Sequence, residues 1–404
     1  MSNTKDLNTS SKDTGTRRLL NVIKNDLSGP VMVFFAGIHG NEKAGLLALE
    51  KVWKEIDPEA VKGSIYAIAG NLKALKKDKR YIDYDLNRMW ASPRLEKESY
   101  KNNIYSEDHE QAALLAILKN ILNEHSSPLY FIDLHTTSSN SLPFITINDS
   151  LINRRFSQLF PVPVILGIEE YLQGPLLSYI NKLGYVSLGF ESGQHSSQEA
   201  VLNAVYFIKI ALHHSKVFSF KDLSKEFELL KKAAEGNKSF YEIIFRYNIL
   251  KKEKFKMQPG FSSFERLEKG TLIARSGDRN IYLSKTATIF MPLYQKKGED
   301  GYYLIRKIRP VFLRLSAWLR NINADNFLLL LPGIKRAEED PTSLMVNLKV
   351  ARFLAQPIFH LLGYRSREMG PYYMKVTSRD RASKTELYRD LGWYKKTLSA
   401  KKGF

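Results

Sequence analysis

The sequence predicts an α/β layer fold, followed by a small β-rich unit and a basic helical extension. Three observations carry this. Up to about residue 235, short apolar runs alternate with helically spaced ones, as in a sheet with helices on its faces. Between about residues 240 and 305, runs such as YEIIFRYNI and ATIFMPLY are separated by turns like Gln258-Pro259-Gly260, the texture of a β unit. Beyond residue 304 the apolar spacing becomes amphipathic, with Arg and Lys interleaved.

Each element has its own signal. Residues 31–38 (VMVFFAGI) are an apolar run between Gly29-Pro30 and Gly40-Asn41, which suits a strand buried on both faces. Residues 43–55 follow with Leu46, Leu49, Val52 and Trp53 at helical spacing, so the pair reads as strand, tight turn, helix. The alternation continues with strands at 63–69, 129–134, 143–147, 162–166 and 185–190, and helices at 107–124 and 197–213. In the extension, 311–322 and 342–362 have the spacing of amphipathic helices.

With 404 residues, two or three domains are expected. We divide the chain into a disordered tail (1–16), an α/β catalytic domain (17–235), a β-rich domain (236–304) and the basic extension (305–404). Apolar residues make up 44% of the chain, which excludes a largely disordered protein. Cysteine is absent, which excludes disulfides, thiolate metal sites and cysteine nucleophiles. Any metal is therefore held by His, Asp or Glu. The net charge is +19, and residues 304–404 hold 20 Lys plus Arg against 8 Asp plus Glu. Such a surplus attracts polyanions without specificity, but no nucleic-acid motif accompanies it. A solvated face or a homo-oligomer contact is the plainer expectation. The first 16 residues are polar with no apolar core of a signal, and Phe327–Leu331 is far too short to span a bilayer. A cytoplasmic protein without a transmembrane segment is the resulting expectation.

The chemistry gathers where strands end. Gly37-Ile38-His39-Gly40-Asn41-Glu42 places an imidazole and a carboxylate three residues apart at a strand-to-helix turn. Catalytic zinc sites commonly combine two His with one Glu and leave a position for water. His135, in Asp133-Leu134-His135, is the candidate third ligand, with Asp133 placed to orient a ligand from behind. A His-x-x-Glu pair also decorates helix surfaces, and a strand-end His is often structural. What favours a metal is that both groups end core strands, where open α/β sheets hold their ligands.

Four motifs in order, Gly37-x-His39-Gly40-Asn41-Glu42, Asp85-Leu86-Asn87-Arg88, Asp133-Leu134-His135 and Glu191-x-Gly193, resemble the succinylglutamate desuccinylase/aspartoacylase family over roughly residues 30–300. The resemblance implies a zinc carboxypeptidase-like mixed sheet and a zinc-dependent amidohydrolase acting on a small anionic N-acyl amino acid. It implies one Zn2+ held by His39, Glu42 and His135. It further implies Glu191 as the catalytic proton carrier, Arg80 as polariser of the scissile carbonyl, and Asn87 with Arg88 as the carboxylate anchor. Tyr294 is the nearest match to a substrate-closing tyrosine. A guanidinium fork does suit a carboxylate, and one carboxylate near a metal can serve as base and then acid. Departures exist as well. Residues 179–185 (YINKLGY) lack the arginine that aspartoacylase-like members carry there, so monocarboxylate substrates are expected, with Tyr179, Asn181, Lys182 and Tyr185 lining the pocket. His195, His213 and His214 read as structural or solvent-facing. Two alternatives stand beside the deacylase: a zinc metallocarboxypeptidase acting on a peptide, and a non-catalytic polyanion-binding protein on the same fold.

Overall fold

The computed structural model describes residues 17–91, 104–250, 253–338, 340–351, 356–368 and 372–399; the expected tail at 1–16 lies outside them. Strands β1 (Leu19–Lys24), β2 (Val31–Ala36), β3 (Ser64–Ala69), β4 (Leu129–Thr137), β5 (Phe144–Ile147), β6 (Val164–Leu166) and β7 (Val186–Gln194) build the first part of one sheet. β3, β2, β4 and β7 are successive parallel neighbours, while β1 runs antiparallel to β3, and β5 antiparallel to β7 and parallel to β6. The sheet is mixed.

Every residue of β2 and β4 is buried, because helices cover both faces. Strand alternation divides them. Met32, Phe34, Tyr130 and Ile132 pack with the helices Ala44–Trp53 and Gln198–Ser215. Val31, Val33, Phe35 and Phe131 face the helices Ser106–Glu124 and Leu176–Lys182.

The β-rich segment does not stand apart. β8 (Phe240–Asn248) pairs with the far side of β6. Of the following strands, β9 (Phe255–Met257), β11 (Leu272–Ser276) and β12 (Arg279–Tyr282) form a separate three-stranded sheet. β10 (Arg266–Leu267), β13 (Ala287–Phe290) and β14 (Asp300–Lys307) join β8, so the main sheet reaches eleven strands in the order β1-β3-β2-β4-β7-β5-β6-β8-β14-β13-β10. An edge strand as short and apolar as β6 leaves backbone groups that β8 satisfies.

The extension is mixed rather than helical. Helix Pro310–Asn321 forms where expected, but the expected helix at 342–362 is instead strand Asp340–Asn347 followed by helix Gln356–Leu361. With β15 (Ile334–Ala337), β17 (Tyr364–Glu368) and β18 (Tyr373–Ser378), that strand, β16, makes a four-stranded antiparallel sheet. Leu344 and Val346 are fully buried on one face of it. Several of the extension's cations pair with groups of the body or of the extension itself. Arg379 Nε donates to Glu169 at 2.8 Å, Arg320 Nε to Asp380 at 2.6 Å, and Arg320 Nη2 to the Asp149 carbonyl at 2.6 Å. Tyr388 lies in the main core, donating its hydroxyl to the Leu129 carbonyl, and Trp393 Nε1 donates to the Tyr130 hydroxyl at 3.1 Å. Among the described residues no helix is long and apolar enough to cross a membrane.

Candidate active site

The turn after β2 is shaped by two glycines. Gly37 takes a left-handed φ of +71°, and a Cβ on Gly40 would sit 2.1 Å from the backbone of Ala74, so only glycine fits there. This crowding folds the turn tightly enough to bring His39 and Glu42 together: His39 Nδ1 lies 2.9 Å from Glu42 Oε1. His135 arrives from the neighbouring strand, with its Nδ1 2.8 Å from Glu42 Oε2. The Thr136 amide also donates to that oxygen, at 3.2 Å. Ligand atoms of the three residues all lie within 4.8 Å of one another, and all three are buried.

The far side of each imidazole is backed by an aspartate. His39 Nε2 is 3.0 Å from Asp85 Oδ1, and His135 Nε2 is 2.7 Å from Asp133 Oδ2. An imidazole that gives its Nε2 proton to a carboxylate turns a bare Nδ1 lone pair toward Glu42. Two such lone pairs against a carboxylate call for a cation. A donor set of two histidines and one glutamate, with the opposite ring nitrogens on carboxylates, suits a divalent metal. The residues fit one. Without a metal the charge falls on protons. Burial opposes it, but Asp133 and Glu42 hold the His135 imidazolium well above its usual pKa. Burial likewise works against Glu42, yet His39 and His135 keep its carboxyl well below the usual range. Asp85, buried too, is held low by His39, Arg80 and Arg88.

β4 and β7 run in parallel register with His135 opposite Glu191, so the pairing of the sheet itself sets Glu191 beside the candidate ligands. Burial pushes its carboxyl up to about 8, with Glu42 and Asp133 adding to it against His135 and Arg80. Among the described residues its buried Oε2 has no hydrogen-bond partner. Arg80 Nη2 donates to Asp85 Oδ2 at 3.1 Å, and Nη1 reaches Glu42 Oε1 at 3.4 Å. Asn87 is fixed through Oδ1, which accepts from the Leu176 amide at 2.9 Å, and Arg88 Nη2 donates to Asp300 Oδ2 at 3.1 Å. His39, Glu42, His135, Glu191, Arg80, Asn87 and Arg88 all line one cavity of about 680 Å³.

Tyr294 does not join them. Its hydroxyl donates to the Gln258 carbonyl at 2.8 Å and accepts from the Phe261 amide at 2.9 Å, and the residue is not among those lining the cavity. Nor are Tyr179, Asn181, Lys182 and Tyr185. Tyr185 is buried against Phe131, and Asn181 takes a hydrogen bond from Asn153. The helix Leu176–Lys182 packs this segment into the core instead. His195 does line the cavity, with Nδ1 2.7 Å from Thr136 Oγ1 and burial lowering its pKa. Sequence reasoning also passes over Glu107. Its buried carboxylate accepts from the amides of Ile82, Asp83 and Tyr84 at 2.7, 3.0 and 3.2 Å, and so holds the loop that carries Arg80, Asp85 and Arg88. Asp85 stands in a recognised motif, but its role behind His39 shows only in three dimensions.

Residues 28–194 match the model of the succinylglutamate desuccinylase/aspartoacylase catalytic domain. The match covers less than half of the chain, which through this region is similar to that family. The "Probable aspartoacylase" of Acaryochloris marina is 28% identical over 164 residues, 38% of this chain and 52% of that relative. The chain thus spans about half of that relative's length. The N-acyl-aromatic-L-amino acid amidohydrolase (carboxylate-forming) of Xenopus laevis is 25% identical over 281 residues, 63% of this chain and 89% of that protein. Among solved structures, the succinylglutamate desuccinylase/aspartoacylase from Rhodobacter sphaeroides superposes with a TM-score of 0.54 at 18% identity, covering 71% of this chain and 88% of that one. That likeness is one of fold, the zinc carboxypeptidase-like mixed sheet.

Proposed function

We propose that this protein is a zinc-dependent amidohydrolase that cleaves the linear amide of a small N-acyl amino acid. One observation carries the reading: the candidate ligands His39 and Glu42 in the turn after β2, His135 on β4 and the buried carboxyl of Glu191 on β7 line one cavity that also holds Arg80 and Arg88. A divalent metal supplies acidity to water and polarises a carbonyl when bound in such a set. The chain's own residues do the rest. Glu191 takes a proton from the attacking water and passes it to the amide nitrogen as the C–N bond breaks, so that a carboxylate and an amine leave. Burial raises its affinity for protons in the metal-free protein, which suits the acid half of that task, and a bound dication nearby favours the ionised form that the base half needs. Arg80, beside Glu42 and Asp85, offers a guanidinium to the oxygen on which charge develops. Asn87 and Arg88 anchor the substrate's carboxylate.

The polyanion-binding alternative loses ground because Arg320 and Arg379 of the basic extension are buried in pairs with the protein's own carboxylates. The deciding experiment profiles the zinc-loaded protein on a panel of N-acetyl amino acids beside short unblocked peptides. Release of amino acid from the N-acetyl panel supports the proposal, and cleavage confined to the peptides replaces it with a carboxypeptidase.

A further inference from the structure

The cavity holds a third guanidinium that the sequence motifs do not announce. Arg246 lies on β8, and Asp300 opens the neighbouring strand β14, whose Tyr303 stands opposite Arg246 in the antiparallel register. Arg246 Nε donates to Asp300 Oδ1, and its Nη1 donates to the Tyr171 carbonyl. Arg88 Nη2 takes the other oxygen, Asp300 Oδ2, at 3.1 Å. One carboxylate therefore bridges two guanidiniums. The three side chains are only 22%, 20% and 16% exposed for Arg88, Arg246 and Asp300, and all three line the cavity.

Asp85 and Glu299 lie in the same lining and also face Arg88, so the two guanidiniums are already matched by carboxylates, and a ligand carboxylate enters only by exchange with an oxygen of Asp300. A ligand carboxylate that reaches Arg88 displaces one oxygen of Asp300, and Asp300 keeps its other oxygen on Arg246. A second ligand carboxylate finds Arg246 already paired and meets the like charge of Asp300 at contact distance, which disfavours it. We infer that Arg246 is a latent second anion subsite, reserved by Asp300, and that the protein accepts monocarboxylate ligands and refuses dicarboxylates for that reason. The inference rests on the proposed role of Arg88 as carboxylate anchor. It also relocates the cause of the selectivity, from an arginine missing at 179–185 to a carboxylate present at 300.

The test measures binding by calorimetry to zinc-loaded protein, with four probes: acetate, succinate, N-acetylalanine and N-acetylaspartate. Wild type binds each dicarboxylate no more tightly than its monocarboxylate counterpart. Asp300→Asn frees both guanidiniums, and the dicarboxylates gain at least about tenfold over the monocarboxylates, the scale of a charge-assisted contact. Asp300→Asn with Arg246→Gln loses that relative gain. Arg246→Gln alone leaves Asp300 wholly to Arg88 and weakens N-acetylalanine several-fold; it serves as the independent variant should Asp300→Asn fold poorly. A wild type that prefers dicarboxylates, an Asp300→Asn gain equal for all four probes, or an Arg246→Gln protein that binds N-acetylalanine as wild type does overturns the inference. If succinate gains on Asp300→Asn while neither N-acetyl amino acid binds or is hydrolysed, the subsite stands and the proposed function falls.

Discussion

Removing the carboxyl of Glu191 should stabilise the metal-free protein, and increasingly so as the pH rises. An unfolded glutamate ionises near 4.3, whereas the buried Glu191 keeps its proton up to about 8. Between those values the folded state binds more protons than the unfolded one. Stability is then fully present below about pH 4 and declines up to about pH 8, beyond which the loss is constant. Each pH unit within the window is worth about 1.4 kcal/mol at most, so the loss between pH 5 and 8 is roughly 3–4 kcal/mol. Glutamine has the same shape and no such titration. The expectation for metal-stripped protein is that Glu191→Gln and wild type differ little near pH 5, and that the variant leads by roughly 3–4 kcal/mol near pH 8. Chemical denaturation of both proteins across that range measures the gap. Titrating groups that do not face Glu191 are shared by the two proteins and cancel. A gap that stays constant with pH would mean that Glu191 is already ionised when folded, and the prediction would fail.

Three further outcomes are expected. Zinc uptake by the metal-free protein near pH 7 should release protons, because His135 holds one well above its usual pKa until a cation replaces it; calorimetry in buffers of differing ionisation enthalpy reads this, and uptake with no proton release contradicts it. Asp85→Asn should weaken zinc binding by ~10–100-fold, as loss of a carboxylate behind a ligating histidine typically does, and an unchanged affinity in a chelator competition would remove Asp85 from the site. Arg379→Met should destabilise by about 3–5 kcal/mol because it strands the buried carboxylate of Glu169 without its cation and leaves Glu170 with His360 alone, and a loss under about 1 kcal/mol in denaturation would show that the extension is not docked through that pair.

The parts of the protein written in local pattern are legible in the sequence. β2 announces itself by an unbroken apolar run, β4 by the shorter run Leu129-Tyr130-Phe131-Ile132, and the turn around His39 by its two glycines. The candidate ligands are within reach because each closes such a run. What escapes is set by partners distant in sequence. Asp300 lies 212 positions beyond Arg88, and nothing in the spacing around either residue reports the other. The strand Asp340–Asn347 reads as helix because Leu344 and Val346 alternate inside a longer stretch that also satisfies a helical period; pairing with β18 decides between them. Residues 179–185 point to the pocket only through their nearness in sequence to Glu191. The intervening Gly184, at a φ of +89°, turns the chain from helix into β7 and leaves those side chains outside the cavity. Tyr294 follows the same logic, since its hydroxyl is held by the backbone of the loop at Gln258 and Phe261.

The proposed chemistry is tested most sharply by the turnover of Glu191→Gln compared with wild type at equal zinc content, measured as amino acid released from the best N-acetyl amino acid of the panel. The amide of glutamine preserves the shape beside His135 but cannot carry the proton between water and the leaving nitrogen. Equal zinc occupancy, near one ion per chain, is expected together with a fall in turnover of ~10²-fold or more. Turnover within a few-fold of wild type at full zinc occupancy would contradict that chemistry, and so would a wild-type protein that holds zinc and releases no amino acid from any member of the panel.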